Sequence, residues 1–174
     1  MATQLSLLLT SAKGQEAKAS AEFKEIALQH GVRKFQIDKS PYDGILEIEM
    51  ENPRSFISFL REYVRAEPFR VHSILRLIPI DIVVDTKLDQ IKSAAKQLSD
   101  SIGENETFRI TVEARDSPYT TKQLIDAIAD VVDRKVNLDS PDKILLLEVL
   151  GEYSAISLIS PDELVSIIKL KRGS

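Results

Sequence analysis

Residues 107–149 read T-F-R-I-T-V-E-A-R-D-S-P-Y-T-T-K-Q-L-I-D-A-I-A-D-V-V-D-R-K-V-N-L-D-S-P-D-K-I-L-L-L-E-V. Phe108, Ile110, Val112 and Ala114 alternate with Arg109, Thr111, Glu113 and Arg115, which predicts a strand with one buried and one polar face. Thr120 with Gln123 has the spacing of a capping box. The helix it opens is expected to run to about Lys135, with Leu124, Ile128, Val131 and Val132 on its apolar face. The turn-rich V-N-L-D-S-P-D of residues 136–142 follows. Residues 144–150 are a mainly apolar run, as expected of a strand covered on both sides.

The reading extends outward in both directions. Gly151-Glu152 has glycine first, as a type II′ hairpin turn requires, so 153–159 should return as a strand. Ser160-Pro161-Asp162-Glu163 has the cap, proline and glutamate of a last short helix. Upstream, Asp85-Thr86 is placed to cap a helix over 87–102, where Leu88, Ile91, Ala95, Leu98 and Ile102 recur at spacings of three and four. The first part of the chain predicts a strand at 5–9 and a helix over 13–30 closed by His30-Gly31. Strands at 34–38 and 45–50 come next. Asn52-Pro53 opens a helix with Phe56, Ile57, Leu60 and Val64 buried, and 71–78 is expected as a strand. This β-α-β-β-α-β order is that of a ferredoxin-like domain. The expected division is therefore 1–75 and 76–174, in an α+β or α/β chain.

The 174 residues suffice for one ordinary domain or two small ones. No apolar run approaches the roughly 18 residues that span a bilayer. The first residues lack a preceding basic stretch and read as a strand rather than a signal peptide. With no cysteine, disulfides, thiolate metal sites and cysteine nucleophiles are excluded, and a cytoplasmic location fits. The net charge is -4, with 10 basic and 10 acidic residues up to Ser73 and 13 and 17 after it. A polyanion could therefore be held only by locally clustered cations. No phosphate-binding glycine motif and no nucleophile elbow occurs. His30 and His72 lack a ligand cluster, and Asp126, Asp130 and Asp133 read as the solvated side of a helix or as a cation site. Neither catalysis, a cofactor nor a metal is expected.

The segments Ile78-Pro79-Ile80-Asp81, 108–115 and 136–142, in an α-β-α-β-β order, resemble the THUMP domain, an RNA-binding module of tRNA-modifying enzymes. A preceding ferredoxin-like domain is common in that family. The resemblance implies contact with the acceptor end of tRNA. It implies a non-catalytic adaptor presenting tRNA to a separate enzyme, most plausibly a tRNA cytidine acetyltransferase. Arg115 falls where the family has a strand-end arginine, and the loop after it falls where RNA is expected.

Physical reasoning adds to this. A helix start attracts phosphate, Arg115 and Lys122 flank one, and Tyr119 offers a ring to an unpaired base. The alternative is that Arg115 pairs with Asp116 or Glu113 and Tyr119 packs on the surface. Arg109 and Arg134 complete the expected contacts of the second half. Arg54, Arg61 and Arg65 share one helix face, either as outer phosphate contacts or as a solvated stripe paired with Glu62 or Glu51. Lys171 and Arg172 belong to a basic tail. The competing readings are a small-molecule-binding regulatory domain of ferredoxin-like type and a protein–protein scaffold using the 153–159 edge.

Overall fold

The computed structural model describes residues 5–172. In chain order the elements are β1 (Leu7–Thr10), α1 (Glu16–Gln29), β2 (Phe35–Lys39), β3 (Ile45–Met50), α2 (Pro53–Ala66), β4 (Arg76–Pro79), β5 (Ile82–Asp85), α3 (Leu88–Ser99), β6 (Thr107–Arg115), α4 (Thr121–Ala129), β7 (Lys135–Val136), β8 (Lys143–Leu150), β9 (Tyr153–Ile159), β10 (Val165–Ser166) and α5 (Ile167–Arg172). The chain divides into two compact units: residues up to 79 together with those from 163 onward, and residues 80–162. The single division at 75/76 read from the sequence misses this return. β10 pairs antiparallel with β4, Val165 opposite Leu77, so the last residues close the sheet of the first unit. Where a last short helix was expected to open at Ser160-Pro161 there is only a single tight turn at Pro161–Glu163; the last helix starts at Ile167.

The first unit runs β-α-β-β-α-β before that return. Its sheet has the order β10-β4-β1-β3-β2, antiparallel throughout. Leu7, Leu9, Leu46, Ile48 and Leu77 form one core with Ala19, Phe23 and Ile26 of α1 and Phe56, Ile57 and Leu60 of α2. Phe23 is its pivot, meeting Phe35 edge-on at 5.6 Å and Phe56 at 4.9 Å. Such ring pairs add about 0.5–1.5 kcal/mol beyond the burial itself.

Two carboxylates of α1 pin loops of this unit. Glu22 accepts backbone N–H bonds from His72, Ser73 and Ile74 at 3.0–3.1 Å. That clamp explains why residues 72–74 do not join the strand expected from residue 71, which begins at Arg76: their N–H groups are committed to Glu22. His72 thus lies in a loop rather than a strand. Glu16, buried, accepts from Gly44 N–H at 3.1 Å. Gly44 has φ 76, and a Cβ there would lie 2.6 Å from the Ser11 carbonyl, so only glycine fits this turn. Pro53 opens α2 as expected, but Asn52 does not cap it with its side chain; Asn52 is left-handed at φ 53.

The second unit contains the expected α-β-α-β-β order with two strands the sequence reading lacked, β5 and β7. Its sheet has the order β5-β9-β8-β6-β7. β6 lies parallel to β8 and β7, whereas β9 is antiparallel to β8 and β5. Phe108, Leu145, Leu147 and Ile156 pack against Ile91 and Ala95 of α3 and Leu124 and Ile128 of α4. β8 is buried along nearly its whole length, its Glu148 included, as its otherwise apolar sequence from residue 144 leads one to expect. The β8–β9 turn has Gly151 at φ 68 and no positive φ at Glu152, which fits type II′.

Two helices are shorter than their apolar periodicity implies. α3 begins at Leu88 without a side-chain cap, because Asp85 belongs to β5 and the Thr86 hydroxyl is turned inward to Ser154 Oγ at 2.8 Å. α4 stops at Ala129, where Asp130 caps its end. Asp133 is therefore off that helix, and Arg134-Lys135 are not its last turn. β9 is an interior strand flanked by β5 and β8, which removes the open edge that the scaffold reading required. No described helix is long and apolar enough to cross a membrane.

Candidate nucleic-acid interface

At one end of the second unit, the carboxyl ends of the parallel strands β6 and β8 meet the starts of α3 and α4. Ligands of open α/β sheets commonly settle outside the carboxyl ends of their strands. Backbone bonds tie this end together: Gly151 N–H donates to the Arg115 carbonyl at 2.9 Å, and Thr86 N–H to the Glu152 carbonyl at 2.8 Å. The loop between β6 and α4 is equally defined. Asp116 is left-handed at φ 51, a conformation that aspartate tolerates better than most residues. Ser117 Oγ accepts from Tyr119 N–H at 3.0 Å and donates to the Tyr119 carbonyl at 2.8 Å. Thr120 Oγ1 accepts from Gln123 N–H at 3.1 Å, and Gln123 Oε1 from Thr120 N–H at 2.8 Å. The capping box read from the sequence is present.

The cations around this loop are mostly engaged. Arg115 Nη1 donates to Glu148 Oε2 at 3.0 Å; the arginine side chain is 30% exposed and the carboxylate 2%. Its partner is thus a residue across the sheet rather than Asp116 or Glu113. A guanidinium carries five N–H donors, so a phosphate approaching from solvent still meets a cation with donors to spare. Lys122 Nζ lies 2.6 Å from Asp126 Oδ2, and this carboxylate holds the lysine pKa above its usual value. Tyr119 packs partly buried against the core between sheet and helices, so its ring is not a free platform. Lys87, immediately before α3, is exposed and has no ion pair among the described residues. Sequence reading missed it because Asp85-Thr86 were assigned as the cap; the placement comes from the Thr86–Glu152 bond.

Arg109 and Arg134 lie elsewhere in the unit. Arg109 Nη1 donates to the Leu138 carbonyl at 3.1 Å. Arg134 Nε donates to the carbonyls of Ile102 at 3.0 Å and Gly103 at 3.2 Å, just beyond α3. Arg134 therefore satisfies carbonyls past a helix end, a structural duty that accounts for its charge. The same end carries an asparagine turn, in which Asn137 Oδ1 accepts from Asp139 and Ser140 N–H.

In the first unit, Arg54 pairs with Glu163 at 2.7 Å and Arg65 with Glu62 at 2.8 Å. Arg61 lies between them on α2 and is half-buried. The stripe expected from the spacing exists, but carboxylates attend it. Lys171 Nζ donates to the Val71 carbonyl at 2.7 Å, while Arg172 is exposed. Of the residues singled out by sequence, Arg115, Tyr119 and Lys122 flank one loop of the second unit, with Arg109 and Arg134 elsewhere in that unit; in the first unit Arg54, Arg61 and Arg65 share α2, and Lys171 and Arg172 lie on α5.

The second unit is an α+β domain with helices on one face of a mixed sheet and a polar loop at the strand ends. The model of the THUMP domain family matches residues 85–158. An uncharacterised protein of Methanocaldococcus jannaschii is 24% identical over 177 residues, covering 98% of this chain and 45% of that protein. Among solved structures, a Pyrococcus horikoshii protein superposes with a TM-score of 0.67 at 17% identity, covering 88% of this chain and 54% of that one. A 4-thiouridine synthetase solved in complex with RNA and ATP superposes with a TM-score of 0.56 at 14% identity, covering 94% of this chain and 42% of that one. The chain therefore spans about half the length of the proteins it resembles.

Proposed function

We propose that this chain is a non-catalytic, cytoplasmic tRNA-binding module that holds the acceptor region and presents it to a separate modifying enzyme, in the finest form of the reading a cytidine acetyltransferase. The observation that carries the proposal is that the segment matching the THUMP domain, residues 85–158, contains the whole Arg115–Lys122 loop with both helix starts beside it. The likeness in fold to a synthetase solved with RNA supports it. In this reading Arg115 and Lys87 meet phosphates, Lys122 exchanges Asp126 for a phosphate, and the first unit adds contacts from α2 and α5. Ion-pair exchange at such exposed sites is cheap, since solvated pairs are worth only about 0–1 kcal/mol.

The test is binding of whole tRNA against tRNA lacking its 3′-terminal nucleotides, at several salt concentrations. Affinity should fall when the end is removed and when salt rises. Arg115→Gln retains a donor for Glu148 and removes the charge; affinity is expected to drop roughly 10-fold, the scale of one charge-assisted bond. Equal affinity for trimmed and whole tRNA would remove the acceptor end from the proposal.

A further inference from the structure

Phe69 is the one aromatic residue among the described residues that is exposed, at 85%. Of the other five phenylalanines, Phe23, Phe56 and Phe108 are at most 1% exposed, and Phe35 and Phe59 are partly buried against the core. Phe69 occupies the middle of the tight turn Pro68–Arg70, none of whose residues is buried, so the fold gains nothing from the ring. An apolar side chain of this size left in water needs a reason when its surroundings are charged.

Those surroundings carry both charges. Glu67 and Glu62 pair with Arg70 and Arg65, and Glu22 is held by the backbone N–H groups of residues 72–74. The end of α5 reaches the same corner, since Lys171 Nζ bonds the Val71 carbonyl, two residues past Phe69. The last turn of α5 also carries Lys169 and Arg172, both exposed and neither with an ion pair among the described residues. An exposed ring, with the cation-bearing α5 tied to the same segment through Lys171, suits a ligand that is flat and apolar in one part and anionic in the next. A nucleotide strand with unpaired bases has that chemistry. An apolar protein partner would instead want more apolar surface around the ring than this turn provides.

We propose that Phe69 is a stacking platform for an unpaired base of single-stranded RNA, with Lys169 and Arg172 holding the adjoining phosphates. This rests on the tRNA-binding reading above and adds a second point of contact, on the first unit.

The chain has no tryptophan, so Phe69→Trp introduces a single reporter ring. Its fluorescence should be quenched by a short single-stranded RNA, and not by the same strand with abasic sites or by an RNA duplex. Phe69→Ala should weaken binding of that strand about 5- to 100-fold, the range of one base–aromatic stack, without a change in thermal midpoint, because the side chain is exposed. If wild type and Phe69→Ala bind tRNA equally and Phe69→Trp is not quenched, the stacking proposal is overturned while the tRNA-binding reading stands. If no variant and no wild-type protein binds tRNA, the underlying reading fails. If Phe69→Ala instead abolishes self-association of the protein and leaves RNA binding untouched, the ring is a protein contact and the proposal is wrong.

Discussion

Glu16 shows how one side chain can hold a turn and leave a signature in pH. Its pKa is lowered chiefly by the Gly44 N–H, then by its own backbone N–H, and by Lys39 at 3.8 Å; burial opposes these. A group with a depressed folded pKa contributes stability that is full above its unfolded pKa and vanishes as pH falls through the folded one. Glu16→Gln should therefore be less stable than wild type at pH 7, and the gap should close below about pH 4, where carboxyls protonate. Thermal melts of both proteins from pH 3 to 8 check this, and a constant gap would count against the carboxylate. Thr120→Ala should cost about 1 kcal/mol, the usual worth of a cap, by denaturant titration. Thr120 and Gln123 were legible because both partners sit within one helical turn. The Arg115–Glu148 contact was not, because the partners are 33 residues apart and meet only through the parallel register of β6 and β8.

Among the elements, the long periodic ones were readable: α1, α2, α3, β6 and β8 carry apolar spacing that holds whatever they pack against. β5, β7 and β10 were not. β7 and β10 are two residues long, and β5 is four, so their existence is decided by the partner strand rather than by propensity. α4 fell short of its apolar pattern because residues 135–136 are claimed by pairing with β6. The return of β10 has an energetic consequence. Val165 and Ile167, 1% and 2% exposed, complete the core of the first unit. Ile167→Ala should destabilise that unit by about 2–5 kcal/mol. Hydrogen exchange should then rise in β1 and β4 while β6 and β8 keep their protection. Uniform loss across both units would contradict the division.

For the molecule as a whole, the net charge of -4 and a pI near 5.3 mean that any RNA must be held by local cations against an unfavourable overall field. Few phosphates are then contacted. The logarithm of affinity for single-stranded RNA should fall with the logarithm of salt with a slope no steeper than about -3, at roughly 0.7 per phosphate. Filter binding or fluorescence anisotropy from 50 to 300 mM salt measures it; a slope near -8 would require a basic surface that the described residues do not carry. Sequence by itself determined the class of each long element, the β-α-β-β-α-β order of the first unit and the strand–helix–strand heart of the second, because hydrophobic spacing and helix caps act over a few residues. Tertiary structure alone decided that the tail closes the first sheet, that Arg115 meets Glu148, that Arg134 is occupied by carbonyls and that Phe69 stands in water. Those outcomes depend on which groups distant in sequence are brought within hydrogen-bonding reach, and no local pattern encodes that.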